Sequence, residues 1–215
     1  MRSVSARSAL GLLAATLVAG CAAKNQLDET LGMKVTRSVC PAVAVPDYTG
    51  DLALFSPQES RDARALDVAA TITNVQTVCD QAASPVKASV TFDVVARRAS
   101  PSGARDITLP YFATVMRAGT QIVSKQIGNV VVHFDDGQVL GKGRAAAGAE
   151  VDRAAASLPD NISMQLNRKR KATDADASVD PMSDPRTRSA VSKASFELLI
   201  GFQLTQSQLA YNATR

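Results

Sequence analysis

The sequence contains no tryptophan, only three tyrosines and a single histidine, His133. One histidine excludes the paired-histidine helix of zinc proteases. A sugar-recognition module would need exposed aromatic rings to stack on, and three tyrosines with no tryptophan make the chain a poor platform for it. No Gly-x-Ser-x-Gly or Ser-x-x-Lys nucleophile signature stands in a suitable context, so hydrolase chemistry has no support. Gly137-Gln138-Val139-Leu140-Gly141-Lys142-Gly143 has one residue too few between its first glycines for a phosphate loop, and glycine where Ser or Thr would hold magnesium. It reads as a turn. Asp135-Asp136-Gly137 lacks the further carboxylates of a calcium loop, and two cysteines with one distant histidine do not make a tetrahedral zinc set. No metal is assigned. Long apolar runs are also missing: the longest, from Ala9 to the residues before Cys21, is about a dozen residues, short of the roughly 20 that a spanning helix needs.

What is there begins with that run. Arg2 and Arg7 precede it, and it closes on Leu17-Val18-Ala19-Gly20-Cys21. A basic segment, a short apolar segment and small residues before a cleavage point form a secretory signal. An ordinary cleaved signal would not place a cysteine at the new N-terminus, and this ending resembles the lipobox of bacterial lipoproteins. The resemblance implies a signal peptide over 1–20, a diacylglycerol and an acyl chain on Cys21, and no other cofactor. Each buried methylene adds about 0.8 kcal/mol to such an anchor. Ala22 after the cysteine, in place of Asp, implies the inner leaflet of the outer membrane, facing the periplasm. Removing 1–20 takes away two arginines and no acid, so the net charge of +4 falls to +2. A nearly neutral body in that compartment excludes nucleic acid as a partner.

With Cys21 used for the lipid, Cys40 and Cys79 remain as a pair in an oxidising compartment, where a disulfide is expected. Two buried free thiols are the alternative. The midpoint between 40 and 79 falls in the polar stretch Ser56–Arg64, between apolar runs at 51–55 and 66–79. A hairpin turning there would bring the two cysteines together. Closing a loop of about 40 residues stabilises a fold by about 4 kcal/mol in the chain-entropy model.

Along the body the hydrophobic period is mostly two. Leu66, Val68, Ala70 and Ile72 alternate with polar or small residues, as do Val86, Ala88, Val90, Phe92, Val94 and Ala96, and the short connection between the runs makes them neighbours. Further runs at 107–116 and 122–134 extend a meander. Pro110 predicts an edge, a bulge or a break near Leu109, and Gly128 a bulge. The stretch 145–158 fits helix or strand. Residues 161–168 resume alternation with Ile162, Met164 and Leu166, and 196–204 give a clear final strand. Residues 169–193, starting with Lys169-Arg170-Lys171 and rich in Asp and Pro, have almost no apolar residues and are expected as a disordered insertion. The basic cluster Arg168–Lys171 could touch anionic lipid, although its own aspartates neutralise part of it. Residues 21–38 read as a tether and 39–212 as one domain.

About seven strands, regular turns and one bridge predict an all-β fold, an antiparallel sandwich that resembles immunoglobulin and fibronectin-type domains. The chain departs from antibody domains in lacking tryptophan and the tyrosine two residues before Cys79. At the end, Thr205 with Gln208 has the form of a capping box for a short helical turn, from which Leu209 would fold back onto the domain. The ending Gly201-Phe202-Gln203-Leu204-Thr205-Gln206-Ser207-Gln208-Leu209-Ala210-Tyr211-Asn212, with the cysteine pair, resembles an uncharacterised family of proteobacterial envelope lipoproteins carrying an immunoglobulin-like domain. That resemblance covers about 38–212 and implies location and domain type without an activity. The expectation is a lipid-anchored protein that acts by binding, as an envelope structural or accessory subunit with an envelope protein partner. A glycan- or peptidoglycan-recognition module is the alternative, and an envelope hydrolase the third reading.

Overall fold

A computed structural model describes residues 37–171 and 173–214. The signal, Cys21 and nearly all of the tether lie outside the described residues. Eight strands follow in chain order: β1 (Ala42–Ala44), β2 (Asp51–Phe55), β3 (Leu66–Asp80), β4 (Val86–Arg98), β5 (Arg105–Arg117), β6 (Gln121–Phe134), β7 (Leu140–Val151) and β8 (Phe196–Phe202). The helices are α1 (Arg153–Ala156), α2 (Asp160–Asn167), α3 (Pro185–Lys193) and α4 (Gln206–Thr214). The strands form one curled sheet, a half-barrel in the order β1-β8-β5-β6-β7-β4-β3-β2, antiparallel throughout except for β1 beside β8. The fold is therefore mostly β with a short C-terminal helix. It is not laid out as two separate sheets, because the pair His133↔Lys142 joins β6 to β7 and carries the ladder across the corner.

The alternation read from the sequence is the burial pattern of the core. Val86, Val90, Phe92 and Val94 on β4 are almost completely buried, as are Val68 on β3, Leu109 on β5, Val132 and Phe134 on β6, and Leu198 and Ile200 on β8. Burying one such side chain stabilises the fold by about 1.5–3 kcal/mol. The Phe92 and Tyr111 rings meet edge to face at 5.0 Å inside the curl. Pro110 leaves β5 unbroken. Its carbonyl accepts from the Gln203 N–H at 2.9 Å, just past the last β8 pair, Tyr111↔Phe202, so its imino nitrogen faces a side where β8 has ended and no ladder bond is lost.

Several expectations are corrected. The meander fails after β4, which pairs with β7 instead of β5. The crossing is held by Arg98, 2% exposed, whose guanidinium donates to four carbonyls: Gln138 (2.8 Å), Gly103 (2.7 Å), Pro101 (2.6 Å) and Asp135 (2.9 Å). It also lies 5.3 Å from the centre of the Phe134 ring. Gly128 is in register with Tyr111, and the sheet irregularity falls at Val115/Met116 instead. Glycine is required at 128 because an added Cβ would lie 2.4 Å from the Tyr111 ring, which passes over it to donate to the Ala146 carbonyl at 2.8 Å. Residues 161–168 are not a strand: Asp160–Asn167 is helical, with Ile162 buried, Leu166 half-buried and Met164 68% exposed. That is spacing of four and not two. Within 169–193, where a disordered insertion is expected, Asp184 caps α3 with Pro185 in its first turn, and buried Thr187 donates to the Asp184 carboxylate at 3.1 Å.

The hairpin over 56–64 forms, with β2 antiparallel to β3, and Cys40 and Cys79 are joined as a disulfide. The hairpin is not what brings them together. Cys40 precedes β1 at one end of the strand order, and Cys79 is on β3 near the other. The bridge thus spans the opening of the curl. The same gap is closed by the β1–β2 connection: the Phe202 N–H donates to the Thr49 carbonyl at 2.8 Å and the Ile72 N–H to the Gly50 carbonyl at 2.9 Å.

The C-terminal motif is a clasp over this closure. The Thr205 N–H donates to Gln208 Oε1 at 2.9 Å and the Gln208 N–H to Thr205 Oγ1 at 3.3 Å, the reciprocal bonds of a capping box. Leu209 does not dock, being 41% exposed. Tyr211 and Asn212 do so instead. The Tyr211 ring meets Phe55 edge to face at 5.2 Å, and the Asn212 amide, 6% exposed, donates to the Tyr48 and Asp51 carbonyls at 2.8 and 2.7 Å.

Asn212 and Arg98 are buried donors whose hydrogen bonds to these carbonyls each contribute about 0.5–1.5 kcal/mol, more for the charged group. Asn212→Ala is expected to lower unfolding free energy by about 2 kcal/mol and Arg98→Met by more, with Arg98→Lys in between because an ammonium has only three donors. Urea denaturation checks the order. An Arg98→Met protein as stable as wild type would remove the role given to this corner.

Candidate functional site

A cavity of about 580 Å³ opens between α1 and α3 beside the end of β5. Its position follows from local sequence. β7 ends at Val151, and the Asp152 carboxylate caps α1 by accepting from the Ala155 N–H at 2.7 Å. α3 runs from its Asp184 cap toward β8, and the Ala118 N–H in the β5–β6 turn donates to the Ser195 carbonyl at 3.0 Å. The facing helices carry Ala154, Ala155, Ala190 and Ala194 where larger side chains would fill the gap. A smaller cavity of about 330 Å³ adjoins it between the start of β6 and the end of β7 and shares Arg117 and Ala155.

The larger cavity has an apolar floor of alanine and proline and three cations, Arg117, Arg186 and Lys193, with no carboxylate in its wall. Arg117 is held in place: its Nε donates to the Lys193 carbonyl at 2.6 Å, and its guanidinium lies 5.6 Å from the centre of the Phe196 ring. None of the three cations forms a salt bridge with a carboxylate among the described residues. Asp184, whose carboxylate accepts from the Arg186 N–H at 3.0 Å and is held below its ordinary pKa in part by the Arg186 charge, offsets one of these cations from just outside the wall. An apolar floor with Arg117 and Lys193 unpaired beside it suits an anionic group carried on an apolar body. The described chain enters the domain beside this groove: Arg37 donates to the Val191 carbonyl at 3.1 Å and to Ser195 Oγ at 2.7 Å, next to the lining residues Ala190 and Ala194.

Of the residues singled out in the sequence, Cys21 lies outside the described residues, and Cys40 and Cys79 form a disulfide remote in role from the groove. His133 is exposed on β6, its Nδ1 2.5 Å from Asp106 and its Nε2 3.2 Å from Asp135. Both ring nitrogens are thus engaged by carboxylates. Asp106 first and Asp135 second raise the imidazole above its ordinary value of 6.5. In the basic cluster, Arg168 is ion-paired with Asp176, and Arg170 donates to the Asp176 and Val179 carbonyls. Among the described residues no group of His, Cys, Asp and Glu is placed to hold a metal ion, and no helix is long and apolar enough to cross a membrane. The groove was missed because its walls come from 154–159 and 185–194, one read as ambiguous and the other as an insertion. Asp184-Pro185, a cap followed by a first-turn proline, was the available signal.

Comparison with protein-family models, curated proteins and solved structures finds no match for this chain.

Because folding raises the His133 pKa, the stability this pair adds is fully present below the unfolded value near 6.5 and is lost as pH rises through the folded value. An NMR titration of the imidazole is expected to show a midpoint above 6.5 that falls in Asp106→Asn. An unshifted midpoint in the parent protein would contradict the two-carboxylate geometry.

Proposed function

We propose that this protein is a lipid-anchored envelope protein of the periplasm that works by binding, without catalysis, and that the groove around Arg117 is where it binds. The observation that carries the reading is the charge asymmetry of the groove, with three cations and no carboxylate around an apolar floor. The ligand class it fits is an anionic amphiphile, a phosphate or carboxylate head on an acyl body. The lipobox-like residues ending at Cys21 support the anchor, and the disulfide suits an oxidising compartment. If Cys21 carries the lipid, the 15 residues between it and Arg37 reach at most about 55 Å even when fully extended. The groove would then work close to a membrane surface, where anionic lipids concentrate. In this reading the halves β1-β8-β5-β6 and β7-β4-β3-β2 act as the two layers of an immunoglobulin-like sandwich, with a structural or accessory role among envelope partners.

Two measurements test this. Cys21→Ser is expected to move the protein from the membrane to the soluble periplasmic fraction, and an unchanged membrane fraction would remove the anchor from the proposal. Calorimetric titration with lysophosphatidic acid and with lysophosphatidylcholine of the same chain is expected to favour the anionic lipid by about tenfold, the effect of one charge-assisted contact. That preference should disappear in Arg117→Ala/Arg186→Ala. Equal affinity for both lipids, or a preference that survives the double substitution, would reject the groove as the site.

A further inference from the structure

The seam between β6 and β7 is closed over most of its length and opens at one end. At the corner, β6 backbone lies against β7: a Cβ added at Gly143 would be 2.3 Å from the Val131 carbonyl, and one at Gly141 would be 2.5 Å from the His133 carbonyl. Further along, Tyr111 fills the gap, its ring over Gly128 and its hydroxyl on the Ala146 carbonyl. Past that plug the smaller cavity, about 330 Å³, lies between the start of β6 and the end of β7. Val151 and Phe196, both buried, line its inner side, while Ile122 and Val123 of β6 line it and are 62% and 51% exposed. Consecutive strand residues ordinarily face opposite ways. Here the register passes from Val115↔Ser124 to Met116↔Ile122 and leaves Val123 as an extra residue, and this bulge turns both side chains to one cavity. Two large apolar side chains left uncovered at a cavity mouth are the surface that an apolar ligand covers.

This second lobe continues the groove, with which it shares Arg117 and Ala155. We propose that it takes the far end of the ligand's hydrocarbon chain, so that the protein selects single-chain anionic amphiphiles long enough to cross from one lobe to the other. The inference rests on the groove around Arg117 being the site for an anionic amphiphile. Charge fixes the direction in which such a ligand lies. Arg117 and Lys193 line the groove, whereas the second lobe carries the carboxylates Glu150 and Asp152. An anionic head is drawn to the first and repelled from the second, which leaves the uncharged end of the chain for Ile122 and Val123. The two carboxylates are engaged elsewhere: Asp152 accepts from the Ala155 N–H at 2.7 Å, and Glu150 lies 3.8 Å from Lys87 on β4. At the junction the Arg117 guanidinium lies 5.6 Å from the centre of the Phe196 ring. The cation for the head and the apolar lining for the chain therefore meet at one point, and Ala155 beside them presents only a methyl group to the passage.

Calorimetric titration of the Cys21→Ser protein, which has no lipid to hold in detergent, with butyl, octyl and dodecyl phosphate tests this. A methylene leaving water for an apolar lining is worth up to about fourfold in affinity, and octyl phosphate is expected to bind at least about tenfold more tightly than butyl phosphate. Adding Ile122→Ser/Val123→Ser should cut that gain to under about threefold while butyl phosphate binds as before. Both side chains are exposed, so circular dichroism should not change. A gain from octyl phosphate that survives the double substitution, or no gain at all while butyl phosphate binding still depends on Arg117, would overturn the second lobe and leave the groove standing. Failure of all three phosphates to bind, or binding indifferent to Arg117→Ala, would overturn the groove and the lobe with it.

Discussion

Arg98 is a buried guanidinium with no salt bridge among the described residues, and the corner of the half-barrel depends on where its donors go. Four backbone carbonyls from the β4–β5 and β6–β7 connections converge on it, and the Phe134 ring lies against it. These carbonyls belong to exposed residues of the two connections, and the buried guanidinium is the group that ties them together. The chain leaves β4, crosses without pairing and returns as β7 to β4's free side. One positive charge spread over five N–H groups suits the task, because no other side chain offers as many donors in a fixed plane.

Beyond that corner the two four-stranded halves share a core but only one registered backbone pair, so closure falls to side chains and to the chain ends. Tyr111 spans the seam on one side. On the other, the β1–β2 connection, the disulfide and the α4 clasp bring the sheet's two extremes together. Small residues mark several of these approaches. Gly128 admits the Tyr111 ring, and Gly201 lies where a Cβ would come within 2.3 Å of Thr49 Oγ1.

Period two and capping chemistry were legible without coordinates, because both are local. The runs on β3, β4, β5, β6 and β8, the turn at 56–64, and the Thr205–Gln208 box all stand as read. The cysteines were paired correctly, but by a hairpin argument that the topology does not use. Pairing across the curl depends on strand order, which periodicity does not carry. Ile162, Met164 and Leu166 misled because three apolar residues at spacing two are also compatible with a helix exposing one of them. Gly128 shows the same limit: a glycine in a strand signals a close approach or a bulge, and only the position of Tyr111 decides which. The groove was illegible because it is made by alanines on two segments more than 25 residues apart, whose meeting is set by β7, α3 and β8 together.

The disulfide also determines how the domain carries load. β1 and β2 both lie inside the loop closed by Cys40 and Cys79. A pull on the chain at its N-terminal side, ahead of Cys40, passes through the sulfur atoms directly into β3, which is bonded to β4 along an eleven-pair register. The three-residue parallel edge strand β1 is bypassed. Tension applied there is borne in shear along long strands, where many hydrogen bonds must fail together, and the peeling of a short edge strand is removed from the unfolding route. Reduced thiols would transfer the whole force to β1, and the domain would come apart from that edge first.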